Sequence, residues 1–348
     1  MNISTFTRWV VAGAALAVSA GCAGGAQIGS SPLAPIASAG KPGLASLSRS
    51  GRLWTNFRAG TRARRQFAGS KGPGDLFVAL SNEAIVLQNK SWNQVGTIDP
   101  SAMACPDADW TDREVNLYVA DWDCGGSNTP GVYEFKRGAS TPSFVYTASL
   151  SDPVSAETDK HGNVYVSDYI GGYLDEYKQG SNAVLYQCAP PSGYGLVASS
   201  AIDAKGNVFM VSMNDQAPWT AYLYEYAGGL NGCNATELGT FPFFPGELVL
   251  DKNANLLLAD QTDGAVDVIP PPYNAIGSKI SVPSNPFSVT INKKNDRVYI
   301  SAYAGPSSGV DAVYVDAYPS GTNIATLGSA NGITSEPSGA SDSQNYVP

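Results

Sequence analysis

Six strand-like cores recurring at intervals of 41, 47, 44, 48 and 42 residues predict an all-β chain. Its predicted fold is a six-bladed β-propeller of four-stranded antiparallel blades, because that spacing is one blade per repeat. The cores are Asp75–Leu80, Asn116–Asp121, Asn163–Asp168, Asn207–Ser212, Asn255–Asp260 and Arg297–Ala302. Each is a near-continuous apolar run, the mark of a strand buried on both faces, as stacking blades require. Composition agrees: 37 Gly, 23 Pro and 18 Tyr suit many tight turns, and only 15% of residues are charged, against roughly 25% in typical soluble domains.

The other strands of each repeat follow from these cores. Pro153–Asp159, Ala198–Asp203 and Pro245–Asp251 each lead through a short turn into Asn163, Asn207 and Asn255. The pattern reads as strand, D-x-x-G-N turn, strand, with Asp capping backbone N–H groups and Gly or Asn accepting positive φ. Third strands are predicted at Gly131–Phe135, Tyr173–Tyr177, Tyr222–Tyr226, Ala265–Ile269 and Ala312–Asp316, and fourth strands at Phe144–Thr147, Val184–Gln187 and Ile324–Leu327. The first repeat lacks its first strand, and the segment from Pro337 through Asp342 to Val347 resembles it. A C-terminal strand closing the first blade would leave the ring without edges. Seven blades are the alternative, if Asn345–Val347 begins a blade shared with residues 53–70.

The repeat P-x-x-x-x-x-D-x-x-G-N-[LV]-Y-V-[AS]-D, followed by [VL]-x-[EV]-[YF], resembles the NHL-repeat group of β-propellers over most of residues 72–348. The marks of WD40 and kelch repeats are absent. The resemblance speaks to architecture, since one fold hosts many activities.

Ahead of the repeats, Met1–Arg8 is a short basic n-region and Trp9–Ala20 an apolar stretch too short to span a bilayer. Ser19-Ala20-Gly21-Cys22 resembles the lipobox of bacterial lipoproteins, with Ser19 where those usually carry Leu. Residues 1–21 are therefore expected to be a lipoprotein-type signal peptide, and Cys22 the lipidated residue. Residues 22–50 read as a flexible Gly/Ser/Ala/Pro linker and 51–71 as a basic segment, with 72–348 as the propeller.

Charge is divided sharply. Residues 1–74 carry nine basic residues and no acid, net +9; the rest carry 12 basic and 30 acidic residues, net −18. The basic segment is read as lying on anionic headgroups beside the anchor, as folding back on the acidic propeller, or as a solvated linker; export argues against nucleic acid. Address and charge together place the chain in the cell envelope as a lipid-anchored monomer. Four further cysteines, Cys105, Cys124, Cys188 and Cys233, suggest disulfides in an exported chain and allow three pairings; Cys124–Cys188 is the favoured one. No CxxC or Cys/His spacing suggests zinc.

Carboxylates and aromatics recur in the loops joining second and third strands: Asp121, Trp122, Asp168, Tyr169, Asp215, Trp219, Asp260 and Tyr303. They form a candidate ligand rim, where rings can stack on a sugar and acids can accept hydroxyls or hold a divalent cation such as calcium. The structural alternative is that each Asp ends its strand by bonding the following turn. In outline the repeats also resemble gluconolactonase-like and streptogramin-lyase-like propellers. The lactonase resemblance implies channel ligands at the residue after the first-strand Pro, here Ser101, Val154, Gly246 and Phe287; none is a strong ligand. The lyase resemblance implies a catalytic histidine, but the sole histidine, His161, sits in a first-to-second strand turn. No catalytic constellation, required cofactor or nucleophile elbow is recognised. The expected function is thus a cell-envelope binding or scaffold propeller for a glycan, small molecule or protein. The alternative is a metal-assisted hydrolase or lyase, which requires at least two of Asp121, Asp168, Asp215 and Asp260 to converge.

Overall fold

A computed structural model describes residues 75–80, 83–88, 92–98, 103–122, 129–191, 193, 195–215, 218–303, 311–328 and 337–342. Every described residue lies within 32–348. The segments expected to be a signal peptide, linker and basic segment, together with Cys22, Ser101 and Cys124, lie outside the described residues.

The described strands build a β-propeller of four-stranded antiparallel blades. The first sheet holds β1 (Asp75–Leu80), β2 (Glu83–Gln88) and β3 (Gln94–Ile98). The second is β4 (Pro106–Thr111), β5 (Leu117–Asp121), β6 (Gly131–Phe135) and β7 (Phe144–Tyr146). The third is β8 (Pro153–Thr158), β9 (Val164–Asp168), β10 (Tyr173–Tyr177) and β11 (Val184–Cys188). Next come β12 (Leu196–Ile202), β13 (Val208–Met213), β14 (Ala221–Tyr226) and β15 (Ala235–Phe241), then β16 (Pro245–Leu250), β17 (Leu256–Asp260), β18 (Ala265–Ile269) and β19 (Ser278–Ser281). The last sheet is β20 (Asn285–Ile291), β21 (Arg297–Tyr303), β22 (Ala312–Ala317) and β23 (Thr322–Leu327). The C-terminal β24 (Pro337–Asp342) pairs antiparallel with β1, with Val78 opposite Ala340, and supplies the inner strand of the first sheet.

The second strands β5, β9 and β17 are buried at every position. Each lies between two strands of its own sheet and beneath a neighbouring blade, which is why their sequences are apolar throughout. The preceding turns are organised by one carboxylate each. Asp159 accepts the amides of His161 (2.7 Å) and Asn163 (2.9 Å) and the side-chain amide of Asn163 (3.0 Å). Asp112, Asp203 and Asp251 repeat the arrangement around Asn116, Asn207 and Asn255.

The inner strands contact one another in the order β4, β8, β12, β16, β20, β24, and β24 returns to β4. Crowding there selects small residues. A Cβ on Gly246 would lie 2.2 Å from the Phe287 carbonyl oxygen, and one on Gly339 would lie 2.7 Å from the Asp109 backbone nitrogen. Both glycines permit a backbone approach that any side chain would block.

A disulfide joins Cys188 to Cys233, with Cα atoms 5.3 Å apart, so Cys188 is not paired with Cys124. Cys188 ends the outer strand β11, whereas Cys233 lies in the short connection Asn231–Cys233 between β14 and β15 of the next blade. Twist of roughly 20–25° per strand pair accumulates across a blade. Outer strand ends therefore swing toward the neighbouring blade, and a face assigned at the inner strand does not hold at the periphery. Cys105 is also disulfide-bonded.

Candidate functional site

Three of the four carboxylates predicted at the rim accept backbone amides, Asp121 and Asp168 chiefly from the segment leading into their blade and Asp260 from its own loop. Asp121 is fully buried and accepts the amides of Ala104 (2.6 Å) and Cys105 (2.9 Å). Asp168, equally buried, accepts those of Ser151 (2.8 Å), Asp152 (2.7 Å) and Gly171 (3.1 Å). Asp260 accepts the amides of Thr262 (2.8 Å) and Asp263 (3.1 Å), while its other oxygen lies 3.7 Å from the Lys279 ammonium. Asp215 is exposed. Among the described residues no group of three or more His, Cys, Asp or Glu side chains is placed to hold a metal ion such as calcium. Each strand-ending Asp instead ties a loop by charge-assisted hydrogen bonds.

The rim aromatics are interior residues too. Trp122, Tyr169, Trp219 and Tyr303 are all buried. The Tyr303 hydroxyl donates to Gln261 Oε1 at 3.1 Å, and Trp219 packs edge-to-face on Phe244 at 5.3 Å. A sugar cannot stack on rings so enclosed. Tyr169 differs, because it also lines a cavity among the inner strands.

That cavity has about 30 Å³ open to the centres of water molecules, room for roughly two waters. Its wall comes from a repeated irregularity. In β4 the ladder to β5 pairs Pro106 and then Ala108, leaving Asp107 as the extra residue of a bulge. Register shifts at the same place leave out Val154 in β8, Ala198 in β12 and Phe287 in β20, while β16 shifts across Gly246 and Glu247. All six of these residues line the cavity. A bulge re-aims the side chain of its extra residue; repeated in these five inner strands, it brings residues of five blades to one cavity wall.

This geometry corrects the sequence-based register of the second blade. The residue after the first-strand proline is Asp107, following Pro106, rather than Ser101. The signal was present, because Pro106 precedes Asp112 by six residues, as Pro153 precedes Asp159 and Pro245 precedes Asp251. Asp107 thus places a carboxylate where Val154, Gly246 and Phe287 offer none.

Around the cavity the electrostatics are acidic. Glu247 is 7% exposed and accepts a short hydrogen bond from the Ser288 hydroxyl. Burial pushes its carboxyl up to about 8; the Ser288 hydroxyl opposes that shift and nearby Asp109 adds to it. Glu157, also buried, is raised well above the carboxylate range by burial, with Glu247 contributing repulsion. The Tyr169 hydroxyl donates to Met213 Sδ at 3.4 Å. Burial raises its pKa far above that of a free phenol, and the charges of Asp152, Asp107 and Asp215 raise it further. Neither Glu247 nor Glu157 carries a repeat signature; each became visible only when inner strands of separate blades met.

No protein-family model matches the chain, and no curated protein matches it. Among solved structures, a chain of the nidogen/laminin complex superimposes with a TM-score of 0.60 at 14% identity, covering 77% of this chain and 98% of that one. A protein of unknown function from Bacteroides caccae gives 0.56 at 14% identity, covering 78% and 99%. A virginiamycin B lyase from Staphylococcus aureus gives 0.42 at 11% identity, covering 61% and 67%. At these identities the likeness to the first two is one of fold, and it establishes this chain as a β-propeller.

Proposed function

We propose that this chain is an exported, envelope-tethered six-bladed propeller that binds its ligand at the mouth of the central channel. The observation that carries the reading is the bulge repeated in five inner strands, which gathers Asp107, Val154, Ala198, Gly246 with Glu247, and Phe287 around one cavity. Concave sites with apolar walls and a few convergent polar groups are where small ligands bind. The six-blade count is supported by the cyclic order of inner strands, and lipidation of Cys22 by the lipobox-like Ser19–Cys22.

A thermal-shift screen of the mature chain against glycans, amines and short peptides tests the site. A ligand that raises Tm for the wild type and for Asp215→Ala, but not for Phe287→Leu, supports channel binding. A gain that survives Phe287→Leu and disappears in Asp215→Ala places the ligand on the exposed rim and overturns the reading. For the tether, Cys22→Ser should move the chain from the membrane fraction to the soluble one.

A further inference from the structure

Within the channel, two acidic side chains and two aromatic rings from four blades share a cavity too small for a sugar ring. Asp107 is in β4, Tyr169 follows β9, Glu247 is in β16 and Phe287 is in β20, and all four line it. Asp107 and Glu247 are 4% and 7% exposed, and no basic residue contributes to the wall. The remaining lining is Ala108, Val154, Ala198, Pro245 and Gly246, which are apolar, and Ser155, whose hydroxyl is 3.3 Å from that of Ser199. Beside it, Val154 and Ala198 pack against the buried cluster of Tyr169, Met213, Trp219 and Phe244.

We propose that the channel mouth binds an alkylammonium group, its cationic head between Asp107 and Glu247 and its first methylenes against Phe287 and Val154. This rests on the reading of the channel mouth as the ligand site and specifies its ligand class. Three features of the wall fit that chemistry. An organic cation gains from carboxylates and aromatic rings together, and an ammonium head is the compact one. The open volume of about 30 Å³ accommodates an ammonium head with little accompanying water. An alkyl stem replaces water along the apolar part of the wall, which a bare metal ion cannot do.

Binding should be linked to a proton. Glu247 faces Ser288 from β20, with the acidic groups Asp109 of β4 and Glu157 of β8 nearby, and without a cation its carboxyl holds a proton to about pH 8. An ammonium beside it favours the ionised form, so the proton leaves as the ligand enters.

Isothermal titration of the mature chain with n-butylammonium, and with 1-butanol as the neutral isostere, tests the proposal. The amine should bind and the alcohol should not. Affinity for the amine should rise at least fivefold between pH 6.5 and 9, where an alkylamine is still largely protonated. Glu247→Gln should remove that rise, and Asp107→Asn and Phe287→Leu should each weaken binding at least fivefold with melting temperatures near wild type. If Asp107→Asn does not fold, Phe287→Leu still decides. If neutral ligands bind in a Phe287-dependent way while n-butylammonium is silent, the ammonium inference fails and the channel site stands. If n-butylammonium and 1-butanol bind equally, the inference also fails. If nothing in the screen or the titration binds, both are overturned.

Discussion

Asp168 distinguishes a structural rim from a functional one. Its side chain accepts three backbone amides, one buried and two partly buried. Asp168→Ala leaves all three donors without an acceptor, at about 1–3 kcal/mol for a fully buried one. Water can reach the two partly buried amides, so the expected loss is about 2–4 kcal/mol. Asp168→Asn keeps the Oδ1 position, which accepts from Asp152 and Gly171, and gives up the bond from Ser151, so about 1 kcal/mol is expected. Asp260→Ala should cost less than Asp168→Ala. Asp260 accepts two partly buried amides, and its removal also relieves repulsion of the buried Asp267, whose carboxyl burial and then Asp260 push up to about 6. Urea unfolding midpoints of the mature variants, at constant m, give the comparison. A stability for Asp168→Ala within about 0.5 kcal/mol of wild type, together with lost ligand binding, would refute the structural assignment.

Further predictions concern backbone, pH and the disulfide. Ala254 is exposed and held at φ +61° in a turn where Gly162 and Gly206 stand in the neighbouring repeats, so Ala254→Gly should raise stability by about 0.5–1 kcal/mol in urea unfolding. Burial raises Asp175 to about 7 and Glu247 to about 8; the folded chain then holds protons that the unfolded chain has released above about pH 4. Stability should therefore fall as pH rises from about 4 toward 8 and then level off, and Glu247→Gln should flatten the upper part of the curve in midpoints taken from pH 5 to 9. Replacing Cys188 and Cys233 by Ser opens a link across 45 residues, worth about 4 kcal/mol by loop-closure entropy, and a midpoint shift below a quarter of that would show the bridge to be dispensable.

Legibility followed locality. The second strands and their Asp-Asn turns could be read directly, because burial on both faces makes a strand apolar throughout and a four-residue turn has a local code. Asp168 could be read as strand-ending for the same reason, but whether it faced a ligand or its own loop depended on amides sixteen residues upstream. The register of β4 was within reach through the six-residue Pro106–Asp112 interval, and the nearby Pro100 obscured it.

By itself, then, the sequence determined a repeated four-stranded unit, its turns and its charge division, since each rests on spacing within one repeat. Only the tertiary structure decided the Cys188–Cys233 pairing, because twist carries outer strands toward the next blade. It alone also decided the cavity, whose lining residues Asp107, Glu247 and Phe287 lie up to 180 residues apart and meet only because bulges in separate inner strands bring them to one wall.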